Sequence, residues 1–364
     1  MDFVRTKRPI GGYVAGGVIV AVVAFGVLSL VGRRQVDVAP VLSPPPPPRA
    51  HRLVSMDEVV NRASELRPLN SLLILQSDSL LVEEYFWGME PNRGVNVKSI
   101  SKSLLSPLVG IAIHDGLIEG VDQPLSQLLP EYFQDAPPAT DSIKLHHLLS
   151  MTTGLEGTSF GNYGEWIGSR DWVRNALDRP FVCETGTCMT YSTGNAHIAG
   201  VILSRVTGRS LLQYASEKLF EPLGVTLRPW DRDPQGYYLG GNNMRLSPRD
   251  LLLFGQLYLK RGVHEGEQLV PSDWIDASWQ TYTISPWNGH GHGYFWWSRR
   301  FAGEPIHFAW GYGGQFVLVM PTLDAVAVIT SDLNQRRPRN HTRRIYGLLR
   351  SYLVPALASR TSAP

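Results

Sequence analysis

The sequence predicts an α+β fold: an antiparallel five-stranded sheet flanked by helices, carrying an inserted helical subdomain at about 112–286 and preceded by one transmembrane helix. Three observations lead there. Strand-like runs fall at both ends of the soluble part, at Leu72–Gln76 and Leu80–Phe86 and again at Gly293–Ser298, Phe316–Met320 and Ala325–Ser331. The stretch from Gly116 to about Pro286 reads as helices and loops without regular βα alternation, so the economical assembly joins both ends in one sheet. Ile10 to Gly32 holds no charged residue and is long enough to cross a bilayer.

From the N-terminus, the expected organisation is a cytoplasmic stub at 1–9, an anchor at 10–32, a linker at 33–54 and a single globular domain at 55–364. Arg5, Lys7 and Arg8 precede the apolar run, and Arg33 and Arg34 follow it. Its length and the lack of a small-residue cleavage site argue for an uncleaved anchor rather than a signal peptide. The short stub is expected to stay inside, which makes the protein single-pass in a bacterial cytoplasmic membrane with its domain periplasmic or extracellular. The lipid bilayer, met through residues 10–32, is thus an expected partner. Pro44 to Pro48 form an extended spacer after it.

Within the domain, Ser55 followed by Glu58 is a capping-box signature for a helix through Leu66. Ser77-Asp78 divides the first two strands as a hairpin turn. A helix carries Ser99 and Lys102 onward through Ile111. Cys183 and Cys188 are the two cysteines of the 364-residue chain. They are too few for a metal site, and Gly186 between them would let a disulfide close; two buried thiols are the alternative. Tyr346–Leu353 reads as a final helix. With 43% hydrophobic residues and a net charge of +2, the chain supports a sizeable core and no nucleic-acid partner. The arginines at 336, 337, 339, 343 and 344 read as a solvated helix face.

Residues three apart on a helix share a face, so Ser99 and Lys102 can meet. A serine hydroxyl needs a base, and a desolvated lysine near a helix N-terminus has its pKa pushed down far enough to become one. Lys98 points about 100° away on helical geometry and is assigned to solvent. Tyr191, at the head of an apolar helix around Ile198, is a candidate proton shuttle with a lowered pKa. Gly311-Tyr312-Gly313-Gly314-Gln315 enters a strand, and its backbone can approach a reacting carbonyl, with the amides of Ser99 and Gln315 as an oxyanion site.

These parts stand in a recognisable order. Ser99-Ile-Ser-Lys102, His147-Leu-Leu-Ser-Met-Thr-Thr-Gly-Leu155, Tyr191-Ser-Thr193, Phe220-Glu-Pro-Leu-Gly224 and Gly311 to Gln315 together resemble the serine β-lactamase and penicillin-recognising superfamily, in its branch of class C-like enzymes, esterases and aminohexanoate-oligomer hydrolases. The resemblance implies Ser99 as nucleophile, Lys102 and Tyr191 as the proton-transfer pair and the Ser99 and Gln315 amides as oxyanion donors; a small ester or amide is the expected substrate, with no cofactor and no metal. It places Thr193, Tyr312, Gly313 and Gly314 at the substrate. Thr193 stands where an asparagine is usual, and Tyr312-Gly313-Gly314 replaces a lysine-threonine-glycine triplet, which removes the usual grip on a substrate carboxylate. The alternatives are a D-amino peptidase or β-lactamase acting on peptidoglycan-like substrates, and a sensor that acylates without turnover.

Other features carry further expectations. Gly157-Thr-Ser159-Phe-Gly161 formally matches a nucleophile elbow with His307 as base, but no strand is expected before it, so Ser159 is placed in a loop at the site mouth. Phe160, Tyr163, Trp166 and Trp172 are expected as a substrate-facing lid. His290 and His292 read as a polar loop, and Trp296 and Trp297 as core, one of which could line a pocket.

Overall fold

Ser77 and Asp78 do form the expected hairpin, joining Leu69–Gln76 (β1) to Ser79–Tyr85 (β2) with both turn residues at positive φ, 48° and 60°. The computed structural model of the protein describes residues 54–134 and 138–361. On its other edge β1 pairs with Ala325–Ser331 (β8), Leu72 lying opposite Ile329, so the two ends of the domain meet in one sheet as expected. Gln315–Met320 (β7), Glu304–Gly311 (β6) and Trp297–Phe301 (β5) follow, and Gly291–His292 (β4) and Thr283–Ile284 (β3) close the far edge. The order is β2-β1-β8-β7-β6-β5-β4-β3, antiparallel throughout.

Among the described residues the sheet therefore has eight strands, where the sequence predicts five. The additional strands left weak marks in the sequence. β6 carries Pro305 near its start, a residue that usually argues against a strand interior. β3 and β4 span two residues each, too few for any periodicity. β5 begins at Trp297, later than expected, because Tyr294 and Phe295 form a bend.

β1, β7 and β8 are buried along their whole length, as strands covered on both faces must be. Met56–Ser64 (α1), capped by Ser55, packs on β1 with the C-terminal helical stretch from His341–Leu348 to Val354–Thr361. That stretch is longer than the expected Tyr346–Leu353, and the Gln76 amide donates to the Leu357 carbonyl within it. Pro248–Leu259 lies on β1, β7 and β8, and a Cβ on its Gly255 would come within 2.5 Å of Val326. Ile100–His114 (α2) lies on β6 and β7, and Thr193–Thr207 (α3) packs against α2. That last contact brings two distant stretches of chain to one place.

The single-pass membrane topology is corrected. Among the described residues no helix is long and apolar enough to cross a membrane. The span expected at 10–32 lies outside the described residues, and the placement outside the cytoplasm falls with it.

Candidate active site

Ser99 is the residue before α2, yet its hydroxyl does not cap the helix. A serine in this position ordinarily spends its oxygen on a backbone N–H. Here Oγ is left for side chains: Lys102 Nζ lies 3.2 Å away, and Tyr191 lines the same cavity as Ser99. Lys102 is 2% exposed, and burial lowers its pKa to about 7. Its Nζ also meets Thr193 Oγ1 at 3.2 Å and the Gly241 carbonyl at 2.7 Å. That carbonyl reaches inward because Gly240 and Gly241 lie directly on α3, where a Cβ at Gly240 would stand 2.3 Å from the Ala196 oxygen. The carbonyl can only accept, so an uncharged amine donating there and to Thr193 keeps its lone pair for the Ser99 hydroxyl.

Tyr191 departs from expectation. Burial raises its pKa to about 12, only partly offset by the Ser99 hydroxyl, so the phenol keeps its proton. Its ring stacks on Trp297 at 5.7 Å, and Lys102 Nζ sits 5.1 Å from its centroid. The segment delivering it is stapled by a Cys183–Cys188 disulfide, with Gly186 at φ 85° in the ring.

The Gly311–Gln315 turn comes to Ser99 by close backbone approach. A Cβ on Gly311 would lie 2.2 Å from the Val97 carbonyl, two residues before the serine. Gly313 and Gly314, expected at the substrate, instead back onto protein: their added Cβ atoms would meet Leu333 at 2.3 Å and both His341 and Ser331 at 2.7 Å. Both have φ near the left-handed limit for other residues, 95° and 98°. The Gln315 side chain is clamped to the end of β8, donating to the Ser331 carbonyl at 2.8 Å and accepting from the Ser331 N–H at 3.2 Å. Ser331 Oγ lies 3.1 Å from the Gly314 carbonyl and 3.0 Å from His341 Nε2. Burial pushes the His341 imidazole down to about 4, so it is neutral.

In front of Ser99 opens a cavity of about 460 Å³ whose other walls are Phe160, Tyr191, Trp287, Asn288, Trp297, Trp310 and Tyr312. Six of these are aromatic and none is charged. Phe160, Trp287 and Tyr312 are its exposed rim.

Profile comparison matches residues 67–350 to the Beta-lactamase family. The chain belongs to that family. A 6-aminohexanoate-dimer hydrolase of Paenarthrobacter ureafaciens is 24% identical over 255 residues, which is 63% of each chain. The chain spans just under two thirds of the length of the curated relatives it matches. Among solved structures, a penicillin-binding protein homologue from Pyrococcus abyssi, described as octameric, superposes with a TM-score of 0.64 at 19% identity, covering 80% of this chain and 76% of that one. A D-stereospecific amidohydrolase from Streptomyces gives 0.60 at 16% identity, covering 75% and 93%. These likenesses show the fold.

Several expectations for this β-lactamase-family chain need correction. Thr193 is 3% exposed and serves Lys102 and Ser159, outside the cavity. Ser159 lies below the site on the Thr193 hydroxyl, at 2.8 Å, with no strand before it; no nucleophile elbow exists. His307 stacks on Trp279 in β6. Of the expected lid only Phe160 reaches the cavity; Trp166 and Trp172 are buried behind it. Trp297 lines the cavity while Trp296 is core against Phe254 and Tyr258. His290 and His292 are buried, and no cluster among the described residues could hold a metal ion. Arg337 leaves the expected solvated face and stacks 4.1 Å from the Tyr312 ring centroid. Trp287, Trp310, Ser331, His341 and Gly241 have no local signature in the sequence, since each enters from a separate segment and shares no spacing with Ser99.

Proposed function

We infer that the protein is a serine hydrolase cleaving a small ester or amide with an apolar acyl half through an acyl-enzyme on Ser99. One observation carries the reading: a buried lysine amine, with a pKa of about 7, stands 3.2 Å from a serine hydroxyl that opens into a cavity. At neutral pH about half of such amines are uncharged. Lys102 takes the hydroxyl proton as Oγ bonds to the substrate carbonyl carbon. The negative oxygen that forms is held by the Ser99 and Gln315 N–H groups. As the scissile bond breaks, the leaving oxygen or nitrogen takes a proton from the Tyr191 phenol, which regains one from the Lys102 ammonium. Water then releases the acyl group, its proton returning by the same relay to Ser99 Oγ. The raised pKa of Tyr191 suits a relay that never rests as phenolate.

The Gly314 carbonyl and the Gln315 N–H belong to one peptide unit. A chain from His341 Nε2–H to Ser331 Oγ–H to that carbonyl holds the unit in place and strengthens its N–H as a donor. Ser331 and His341 are thus positioning residues. Support for a small substrate comes from the cavity volume of about 460 Å³, and for an uncharged acyl group from its aromatic walls. The family relatives named for amide hydrolysis agree with the reaction class.

The test is p-nitrophenyl butyrate with intact-protein mass spectrometry. A burst followed by steady release, with a transient mass gain equal to the acyl group, is expected. Ser99→Ala should lose both, with turnover falling about a thousandfold or more. Release that stops after one equivalent would make the protein a sensor, and unchanged turnover in Ser99→Ala would end the mechanism.

A further inference from the structure

A second cavity, of about 450 Å³, lies on the far side of Tyr312, which lines both. Its chemistry is opposite to the first. Arg93, Lys98 and Arg245 line it against a single carboxylate, Asp332. That carboxylate is turned into its own loop, accepting from the Asn334 N–H at 2.9 Å and the Gln335 amide at 3.2 Å. The cations are less engaged. The Arg93 guanidinium has no ion pair or hydrogen bond among the described residues, and Arg245 donates once, to the Gly94 carbonyl at 3.3 Å. Lys98 gives one bond, to Asn243 Oδ1 at 3.3 Å, and its charge also faces the Asp231 carboxylate that Asn243 holds.

Lys98 holds the key position, next in sequence to Ser99. It sits at φ 53°, outside α2, with its N–H taken by Asn96 Oδ1 at 2.9 Å. The left-handed backbone swings its side chain off the direction helical geometry predicts, so it is half-buried beside Tyr312 rather than in solvent. A lysine held where asparagine or glycine is easier points to a use for its side chain.

Resting on the hydrolase reading above, we propose that the basic cavity binds a carboxylate on the leaving-group half of the substrate. The acyl half stays bonded to Ser99 Oγ and so occupies the aromatic cavity that contains it. The leaving half then extends past Tyr312 to Arg93, Lys98 and Arg245. In the reaction the bond from the acyl carbon to the leaving oxygen or nitrogen breaks, that atom takes a proton from the Tyr191 phenol, which the Lys102 ammonium replaces with the one first removed from Ser99, and a hydroxy acid or amino acid departs from the basic cavity. The cation that the Tyr312-Gly313-Gly314 turn lacks is thereby supplied from a different wall.

Two esters test this: 2-(phenylacetoxy)acetate and its neutral carboxamide, 2-(phenylacetoxy)acetamide, each kcat/KM divided by the ester's own alkaline hydrolysis rate. The acid should be favoured by about tenfold or more. Arg93→Gln/Arg245→Gln should bring the ratio towards one. Arg93→Gln alone, which breaks no bond within the protein, should move it part of the way. Equal rates for the two esters, or a preference untouched by the double variant, would overturn the proposal. If neither ester is cleaved, calorimetry on Ser99→Ala with phenylacetylglycine and phenylacetylglycinamide decides: tighter binding of the acid supports the subsite, equal binding refutes it. A missing burst with p-nitrophenyl butyrate alongside that binding preference would sink the hydrolase reading alone.

Discussion

The floor and the rim of the aromatic cavity are built on opposite plans. At the floor, Lys102, Thr193, Ser159 and Gly241 are joined by hydrogen bonds of 2.7–3.2 Å, and every polar group has a partner. At the rim, Phe160 and Trp287 are 75% and 62% exposed and touch only each other and Tyr191 as rings, with centroids 5.9–6.4 Å apart. A desolvated, fully bonded floor can hold an amine at an unusual pKa, because burial acts directly on the charge. Unlike Tyr312, on which Arg337 stacks, Phe160 and Trp287 hold no charge and few fixed contacts, so this part of the rim selects by apolar area. The floor should govern rate and the rim affinity.

Substitution at the floor offers the largest way to break that division. Lys102→Met should lower kcat for p-nitrophenyl butyrate by about a thousandfold. In the native protein, kcat/KM should rise with pH to a plateau with its inflection at about 7, where the amine loses its proton. The same lysine burdens stability. Its folded pKa lies below its unfolded one, so between about 7 and 10.5 the unfolded chain binds more protons and stability climbs with pH. Below about 7 the cost of the buried charge is present in full. Lys102→Met should accordingly melt higher than the native protein at pH 6, by several degrees, with the gap narrowing at pH 9. A constant gap in thermal melts would show the amine is not desolvated.

Behind the oxyanion turn, Ser331→Ala should reduce kcat by about tenfold with KM nearly unchanged, because the Gly314–Gln315 peptide keeps its place but loses its tether. A rise in KM alone would mean that Ser331 only shapes the pocket. Trp287→Ala, at the rim, should raise KM several-fold for long acyl esters and little for acetate, with kcat retained. Equal losses across acyl lengths would remove the rim from selection.

The smallest effect concerns the staple. Cys183→Ser/Cys188→Ser opens a short loop worth about 2 kcal/mol by closure entropy, so melting should fall by a few degrees and kcat by less than about threefold. A larger fall in kcat than in stability would mean that the ring positions Tyr191 for the reaction as well as holding its segment.

How much of this was legible in sequence follows from the reach of each interaction. Ser99 and Lys102 share a helical turn, so their meeting was readable from spacing, and the hairpin at Ser77-Asp78 was readable from two residues. β6 was missed because Pro305 argues against a strand, and β3 and β4 because two residues have no period. Trp166 and Phe160 looked alike as aromatic loop residues, yet one is buried behind the site and the other stands at its rim. Lys98 escapes helical geometry because it lies two residues before the helix starts, and its positive φ has no signature in a lysine.

By itself the sequence determined the local chemistry: which residues could be nucleophile, amine and phenol, where helices start, and that both ends of the domain share a sheet. Spacing and periodicity act within a few residues, and that is all they needed. Only the tertiary structure decided the pKa of Lys102, the protonation of Tyr191, the peptide tether from Ser331 and the pairing of an aromatic with a basic cavity across Tyr312. Each of those depends on desolvation or contact between segments far apart in the chain, and neither exists until the core has closed.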